Sequence, residues 1–343
     1  MQMNREKIKN IAFSATRPLP VSFLQKSTGQ FFIFPFYHFV GEQHPPHLRH
    51  LYRHITPEQF KNDLEFLLKH YRPASIADLK EFAKKGKKQT EAMFFLSFDD
   101  GLRECYEVIY PILKKKGIEA AFFINPSFVG NQAMFFRFKI SLMVDKLLNQ
   151  TNDATIKKLA LQFDKPGLSK LGCMERMMNL KHSDAEKTEQ LATVLDIDFT
   201  ECQKRVKPYM NMEQLKELSA EGFLIGGHSM NHPLFSELAV DEQISQVSES
   251  IRFVNEHINP ELSAFAFPFT DFGVPSSVFK YIENAGDIDI TFGTAGLKND
   301  DCRKHIQRIP MDESGQTGSR KILRREYAYY LLKSFFGKNT IRR

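Results

Sequence analysis

The chain has 343 residues, which is enough for two domains or for one large barrel, since single barrels often run to roughly 200–250 residues. Apolar residues make up 42% and charged residues 26%, so a sizeable core is expected and a disordered chain is excluded. The net charge is +6, but residues 318–343 hold eight Lys and Arg and one Glu, a local charge of +7, which leaves −1 for the rest. A near-neutral body with a basic tail argues against nucleic acid as a partner.

The spacing of the cysteines and the length of the apolar runs bear on the cellular compartment of the protein. The four cysteines are far apart and show no Cys-x-x-Cys spacing, so neither a disulfide framework nor a cysteine zinc site is expected. The first 20 residues lack the apolar stretch of a secretory signal, and the longest apolar run, residues 31–40, is too short to span a bilayer. We predict a cytoplasmic protein.

In chain order, short apolar runs alternate with amphipathic stretches. Residues 57–70 are typical, with Thr56 as the predicted N-cap and Pro57 at the first helical position. Further helices are predicted at 103–116, 241–257 and 275–284. The predicted strands are 31–37, 93–98, 120–124, 222–227, 264–269, 288–292 and 305–310. Apolar strands separated by helices favour a parallel sheet covered on both faces, either a barrel or a doubly wound sheet.

The alternation of strands and helices breaks between residues 130 and 208. Helical patterns there cover 135–148, 155–163 and 183–195, and Ser183 with Glu186 is predicted to form a capping box. We interpret this stretch as a helical insertion in one loop. The predicted organisation is an N-terminal extension at 1–30, a barrel at 31–312 that contains the insertion, and a basic C-terminal helix at 313–343.

The first chemical motif is Asp99-Asp100-Gly101, directly after a predicted strand. Where a strand ends and the chain bends, two adjacent carboxylates can reach one site, although they repel unless a cation or a shared proton separates them. The alternative is that one of them caps the following helix.

The second motif is His228-Ser229-Met230-Asn231-His232, again after an apolar strand. Two histidines four residues apart can present two imidazoles to one metal, although such pairs also occur on polar loops. Together with one aspartate they would make a three-ligand site with an open position for water, and the second aspartate would be left to act as a base. Both motifs lie at the carboxyl ends of predicted parallel strands, where barrel active sites form.

The runs Phe-Leu-Ser-Phe-Asp-Asp-Gly and His-Ser-Met-Asn-His resemble those of polysaccharide deacetylases of the nodulation-protein homology type. The resemblance covers about residues 31–125 and 210–312. It implies a fold of the α/β class, a distorted (β/α) barrel of about seven parallel strands, and a divalent metal, predicted to be Zn²⁺. It also implies hydrolysis of an acetyl group on a glycan, with Asp99 as general base and Asp100, His228 and His232 as metal ligands.

Three features depart from that family. Its third motif usually carries an arginine, and here Ala266 stands in that position, although the backbone at Phe269 and Thr270 could still line an acetyl pocket. Arg308, on the last predicted strand, is a candidate to replace the missing arginine. The alternative is that Arg308 lies on the surface and pairs with Asp312 or Glu313.

The other two departures concern a tryptophan and the catalytic acid. The chain has no tryptophan, so Phe292 is the substitute at the fourth motif, and no histidine matches the family's usual acid. His305 lies in the wrong context, and His257 is expected to be structural. His38 ends the first strand and so points towards the predicted site, which makes it a catalytic candidate, with a structural histidine as the alternative. Four more histidines are expected in a solvated loop: His44, His47, His50 and His54.

The C-terminal stretch 319–336 has helical periodicity, with an apolar stripe and several arginines around it. Such a helix either lies on an anionic membrane, which would suit a lipid-linked oligosaccharide substrate at the inner membrane, or packs on the barrel. The resulting hypothesis is a metal-dependent glycan N-deacetylase of bacterial surface-polysaccharide synthesis. The alternatives are a non-catalytic glycan-binding protein on the same fold and a small-molecule amidohydrolase.

Overall fold

A parallel sheet that curls into a barrel forms the centre of the protein. The computed structural model describes residues 13, 19–85, 90–312 and 318–343. Around the sheet the strands follow in the order His305–Gln307, Ile290–Gly293, Ala264–Ala266, Leu224–Gly227, Ala120–Ile124, Leu96–Phe98, Pro35–Tyr37 and Ile309–Pro310. The first and last of these lie end to end along the chain with only Arg308 between them, so the ring has seven strand positions. The predicted α/β barrel of about seven parallel strands is confirmed.

Alternating side chains on the strands fill two different layers. On the strand Ala120–Ile124, Ala121 and Phe123 pack into one buried cluster, whereas Phe122 and Ile124 pack into another with the surrounding helices. Because successive side chains of a strand point to opposite faces, an all-apolar strand is what a sheet covered on both faces requires. The phenylalanine-rich runs of the sequence are therefore a consequence of this double burial.

The first predicted strand, 31–37, is in fact two strands in two sheets. Phe32–Ile33 pairs with Met93–Phe94, which in turn pairs with Arg72–Pro73 in a separate three-stranded sheet. Pro35–Tyr37 belongs to the barrel. The strand Arg72–Pro73 and the helix Ile76–Lys85 were not predicted, because a two-residue strand shows no alternation.

The predicted helices agree with the structure within one residue at most ends. Thr56 caps its helix as predicted, since its side chain accepts a hydrogen bond from the Gln59 N–H. The predicted helix 103–116 is instead a π-helical turn, Cys105–Ile109, followed by an α-helix. In the described part of the chain, the helices outside the segment 130–208 include Val21–Thr28, Pro46–Arg49, Pro57–His70, Ile76–Lys85, Tyr110–Lys116, Met212–Ala220, Val240–His257, Ser276–Asn284 and Ser319–Phe335.

The segment 130–208 consists of helices joined by short loops and contains no strand. Its helices are Phe136–Gln150, Asp153–Gln162, Lys170–Met178, Ala185–Val194 and Phe199–Val206. The predicted capping box of Ser183 and Glu186 is wrong: these residues lie in and beside a short 3₁₀ turn, and it is the Asp184 carboxylate that accepts a hydrogen bond from the Lys181 N–H.

The C-terminal helix Ser319–Phe335 packs against the rest of the protein. The Tyr327 hydroxyl donates to the Gln30 carbonyl, and Arg325, predicted on a solvated face, is buried. After the helix, the strand Thr340–Ile341 pairs with Asn299–Asp300. Within the described part of the chain, no helix combines the length and the apolar character needed to cross a membrane.

Candidate active site

Asp100, His228 and His232 come together at the carboxyl ends of two barrel strands. Asp100 follows the strand Leu96–Phe98, and both histidines follow Leu224–Gly227. Asp100 Oδ1 lies 3.4 Å from His228 Nε2 and 3.1 Å from His232 Nε2, and all three side chains are buried. The ligand atoms lie within 4.8 Å of one another, which is close enough for one cation to contact all three.

Backbone contacts orient the two imidazoles. His228 Nδ1 lies 2.8 Å from the Ala266 carbonyl oxygen, so Nδ1 donates a hydrogen bond there and Nε2 keeps a lone pair that a metal ion could accept. Asn125, at the end of the strand between the two motifs, donates to the carbonyls of His228 and Ser229. His232 packs against the rings of Phe135 and Phe269, with centroids 4.4 and 4.5 Å away.

Several residues of the site adopt the left-handed backbone conformation that favours glycine. The φ angles are 72° at Asp100, 63° at Ser229, 58° at His232 and 57° at Phe269. Such conformations are costly for ordinary residues and concentrate at functional sites. Gly101 is also left-handed, and a Cβ there would lie 3.1 Å from Ile124 Cγ2, which explains the glycine of the first motif.

The donor set fits a divalent metal. Asp100 Oδ1 and His228 Nε2 are buried and have no hydrogen-bond partner among the described residues, although buried polar atoms are normally paired. Burial opposes the ionisation of Asp100, but the nearby imidazoles outweigh it and hold its pKa well below the usual range. Burial lowers the pKa of His232 and so favours its neutral form. A carboxylate facing neutral imidazole nitrogens is the arrangement that Zn²⁺ and related ions bind.

Asp99 points to the same site and is held by Arg308. Both guanidinium Nη atoms donate to its carboxylate, at 2.7 and 2.8 Å, and Asp99 Oδ2 lies 4.0 Å from His228 Nε2. Burial opposes the ionisation of Asp99, but the charge of Arg308 outweighs it and keeps the pKa below its usual range. Arg308 is completely buried and stacks 4.2 Å from the Phe36 ring, so the surface alternative for Arg308 is wrong.

His38 lies beside the site and pairs with a different acid. Its Nδ1 is 2.9 Å from Asp312 Oδ2, and its ring stacks on Tyr52 at 4.5 Å. The Tyr52 hydroxyl donates to Asp100 Oδ2, which links the two groups. Burial favours neutral His38, but the Asp312 carboxylate outweighs it and raises the pKa of His38 to about 9.

A groove of about 1240 Å³ opens onto this site, and His38, Tyr52 and His232 lie in its wall. The insertion contributes Phe135, Arg137 and Met178. Parts of the segments 269–272, 294–298 and 340–343 also line the groove. Of the two backbone groups predicted to face an acetyl pocket, the Thr270 N–H donates to the Pro268 carbonyl, whereas the Phe269 N–H makes no hydrogen bond among the described residues.

Other candidate residues lie away from this site. Phe292 is buried between the rings of Phe34 and Phe123, so it is not a groove-lining substitute for tryptophan. His257 is exposed, with Nδ1 against the Phe253 carbonyl. His305 is buried against Thr291 and Asp271.

The early histidines do not form the solvated loop that was predicted. His47 lies in the helix Pro46–Arg49, is only 2% exposed and packs against Phe138, and His54 Nε2 lies 2.7 Å from the Gly41 carbonyl oxygen. Burial lowers the pKa of His47 to about 4. The prediction failed because the helix Phe136–Gln150 covers this region, through contacts such as that of the Ser141 hydroxyl with the Pro46 carbonyl.

Sequence reasoning missed Tyr52, Asn125, and Asp312 as the partner of His38. Asn125 had a usable signal, since it directly follows a predicted strand, as the other site residues do. Tyr52 and Asp312 had none, because each reaches the site through a fold contact between distant parts of the chain.

Taken together, the parallel barrel and the strand-end aspartates and histidines define a hydrolase-type site in which three side chains could hold one metal ion. The family model for polysaccharide deacetylases matches residues 86–286, more than half of the chain, and the chain belongs to the polysaccharide deacetylase family. The predicted resemblance is confirmed.

Solved structures agree on the fold. The Streptococcus pyogenes deacetylase PplD in complex with acetate is 13% identical, with a TM-score of 0.51, covering 86% of this chain and 97% of that one. IcaB from Ammonifex degensii is 14% identical, with the same TM-score and the same coverage of both chains. At this identity the similarity shows the fold alone. No curated protein sequence matches the chain at a significant level.

Proposed function

We propose that this polysaccharide deacetylase removes an N-acetyl group from a glycan with the help of a divalent metal, predicted to be Zn²⁺. The observation that carries the proposal is that Asp100, His228 and His232 come together in a buried site. Two of the atoms that face each other there, Asp100 Oδ1 and His228 Nε2, have no hydrogen-bond partner among the described residues. These three side chains would hold the ion. Asp99 lies beside them, with its Oδ2 atom 4.0 Å from His228 Nε2. When bound, the metal supplies Lewis acidity, which polarises the acetyl carbonyl and acidifies a water.

Asp99 is the proposed general base. It is ionised, it lies beside the ligand set, and Arg308 fixes the position of both of its oxygens. It accepts the proton of the water that attacks the acetyl carbonyl. Arg308 stabilises the charged carboxylate and is a positioning residue, because its donors are directed at Asp99 and at the Ser97 hydroxyl.

The Phe269 N–H and His38 are the proposed partners of the reacting amide. The Phe269 N–H makes no hydrogen bond among the described residues, and the ring of Phe269 packs on His232, so this N–H can donate to the oxyanion that develops on the acetyl group. His38 carries a proton that Asp312 stabilises, and it lines the groove, so it can protonate the leaving amine.

A role in bacterial surface-polysaccharide synthesis, at the cytoplasmic side of the inner membrane, is the setting that we propose. A lipid-linked oligosaccharide would suit it, because Phe335 and Phe336 are exposed at the end of the basic C-terminal helix. Replacing both by serine should reduce co-sedimentation with anionic vesicles and leave acetate release from soluble oligosaccharides unchanged. Equal co-sedimentation of both proteins would contradict the membrane contact.

The test of the chemistry is acetate release from N-acetylated oligosaccharides by the metal-loaded protein. We expect Asp99→Asn to abolish release while metal content stays the same, since Asp99 is not a ligand. Binding without release by the wild-type protein would favour a non-catalytic glycan-binding protein. Release only from small amides or ureides would favour an amidohydrolase.

A further inference from the structure

The groove is far more basic than the rest of the protein. Among the described residues it is lined by five Lys and Arg side chains and two Asp side chains: Arg49, Arg53, Arg137, Lys298, Arg343, Asp271 and Asp312. Four of the five basic residues lie outside residues 318–343, in a part of the chain with a net charge of −1, so the average composition does not explain this concentration. A cleft with charge of one sign raises the local concentration of ligands with the opposite sign.

Part of this positive charge is neutralised within the protein. Arg343 binds the Asp271 carboxylate, and Arg49 Nη1 lies 2.5 Å from Asp145 Oδ1. Both acidic residues that line the groove are also occupied, since Asp312 pairs with His38. Among the described residues that line the groove, no carboxylate is therefore available for further cations.

Arg53 and Arg137 are different, because neither forms a salt bridge among the described residues. Asp63 acts on Arg53, and Glu237 on Arg137, only at longer range, and Glu237 pairs with Lys181. Arg137 lies 4.9 Å from the Phe136 ring and donates one hydrogen bond, of 2.7 Å, to the Met178 carbonyl. A guanidinium has five N–H donors, and its planar fork matches the two oxygens of a carboxylate or phosphate. Both arginines are half-buried, where an unpaired charge is less well solvated than at an open surface.

Each of these two arginines lines the groove and lies close in the chain to a residue that contacts one of the three clustered side chains. Arg137 follows Phe135, whose ring contacts His232, by two residues. Arg53 directly follows Tyr52, whose hydroxyl contacts Asp100. An oligosaccharide with its acetyl group at Asp100, His228 and His232 would therefore lie in a groove whose wall carries both arginines.

We propose that the substrate is an acidic glycan, which carries phosphate or carboxylate groups on the sugars next to the N-acetyl group, and that Arg53 and Arg137 bind these groups. The inference rests on the proposed deacetylase function and adds the class of substrate to it. Neutral N-acetylated glycans would bind through the remaining contacts alone.

The experiment compares three end-labelled tetrasaccharides: a neutral N-acetylglucosamine oligomer, the same oligomer with one phosphate ester, and an alternating N-acetylglucosamine–glucuronate oligomer. Fluorescence anisotropy gives the affinity of the full chain, with metal and with the metal chelated, at low and high salt. We expect at least one acidic oligomer to bind about tenfold more tightly than the neutral one, and high salt to remove that preference. Which acidic oligomer binds more tightly distinguishes phosphate from carboxylate.

The variants are Arg137→Gln and Arg53→Gln, with Arg252→Gln as the matched control. Arg252 is an exposed arginine on the helix Val240–His257, outside the groove. Each groove variant should lose most of the acidic preference and keep its affinity for the neutral oligomer, whereas Arg252→Gln should keep both. Arg137→Lys, which keeps the charge and loses the planar fork, should restore part of the preference. The melting temperature identifies any variant that does not fold. If one groove variant does not fold, the affinities of the other groove variant test the proposal.

Two outcomes overturn the proposal: equal affinity of the wild-type protein for neutral and acidic oligomers, or an equal loss of both affinities in the groove variants. Acetate release is measured in parallel. Acidic preference without release from any oligomer would contradict the deacetylase function alone. Equal release from neutral and acidic oligomers, with equal affinities, would contradict the acidic substrate alone.

Discussion

The protein contains two buried clusters of aspartate and histidine that look alike by composition and differ in the source of positive charge. Asp100, His228 and His232 form one, and Asp271, Asp300 and His305 form the other. In the first cluster, buried oxygen and nitrogen atoms lack hydrogen-bond partners among the described residues. In the second, every buried side-chain polar atom of these three residues has one.

Arg343 accounts for the difference. Its Nη2 lies 2.8 Å from Asp300 Oδ2 and also contacts Asp271, and its guanidinium lies 3.9 Å from the Phe279 ring. Gln307 donates to both carboxylates, at 2.8 and 3.0 Å. The second cluster already holds its cation, and we conclude that it is structural. Grouping of residue types is therefore a weaker sign of a metal site than grouping with unsatisfied atoms.

The strongest test of this contrast replaces one histidine in each cluster by glutamine. His228→Gln should lose the metal on dialysis and lower acetate release by at least about 100-fold, because it removes a ligand. His305→Gln, a buried histidine of the second cluster, should keep the metal content per folded protein. Elemental analysis of the dialysed proteins measures this. Loss of metal in His305→Gln, or its retention in His228→Gln, would contradict the assignment.

Arg308 tests how the first cluster depends on its buried ion pair. Arg308→Gln leaves Asp99 charged and unpaired, so the free energy of unfolding should fall by about 3–5 kcal/mol. In the double variant with Asp99→Asn the loss should be smaller than the sum of the two single losses, since no charge is stranded. Urea unfolding of the four proteins gives the coupling. If the losses of unfolding free energy in the two single variants add up to the loss in the double variant, Arg308 and Asp99 do not stabilise the fold as an ion pair.

The first cluster could be predicted from the sequence and the second could not. Asp100 and His228 each follow an apolar strand, and the carboxyl ends of parallel strands meet, so local pattern was enough. Arg308 was a candidate because it lies on the last predicted strand, but its pairing with Asp99, like that of Arg343 with Asp271, joins residues 209 and 72 positions apart. No local pattern specifies such pairs, because they depend on how the barrel closes and on where the last strand pairs.

We expect Arg343 to contribute to the stability of the fold and not to the metal content. Arg343→Gln leaves Asp271 and Asp300 without their cation, and the free energy of unfolding should fall by about 2–4 kcal/mol, with metal content unchanged. Arg342, the exposed neighbour, provides the control as Arg342→Gln. Urea unfolding and elemental analysis are the measurements. If both variants are equally stable, Arg343 is not the cation of the second cluster.

The smallest expected effect of Arg343→Gln is on how the free energy of unfolding changes with pH under acidic conditions. Burial opposes the ionisation of Asp271, but His305 and Arg343 outweigh it and hold its pKa far below the usual value. A carboxyl with a depressed pKa contributes stability that is fully present above its unfolded pKa, about 3.9, and that is lost as the pH falls below it. Arg343→Gln should therefore flatten the fall of the unfolding free energy below about pH 4, where Arg342→Gln keeps the wild-type slope. Parallel slopes for the two variants would mean that Arg343 does not set the pKa of Asp271, and the contrast between the clusters would then need another cause.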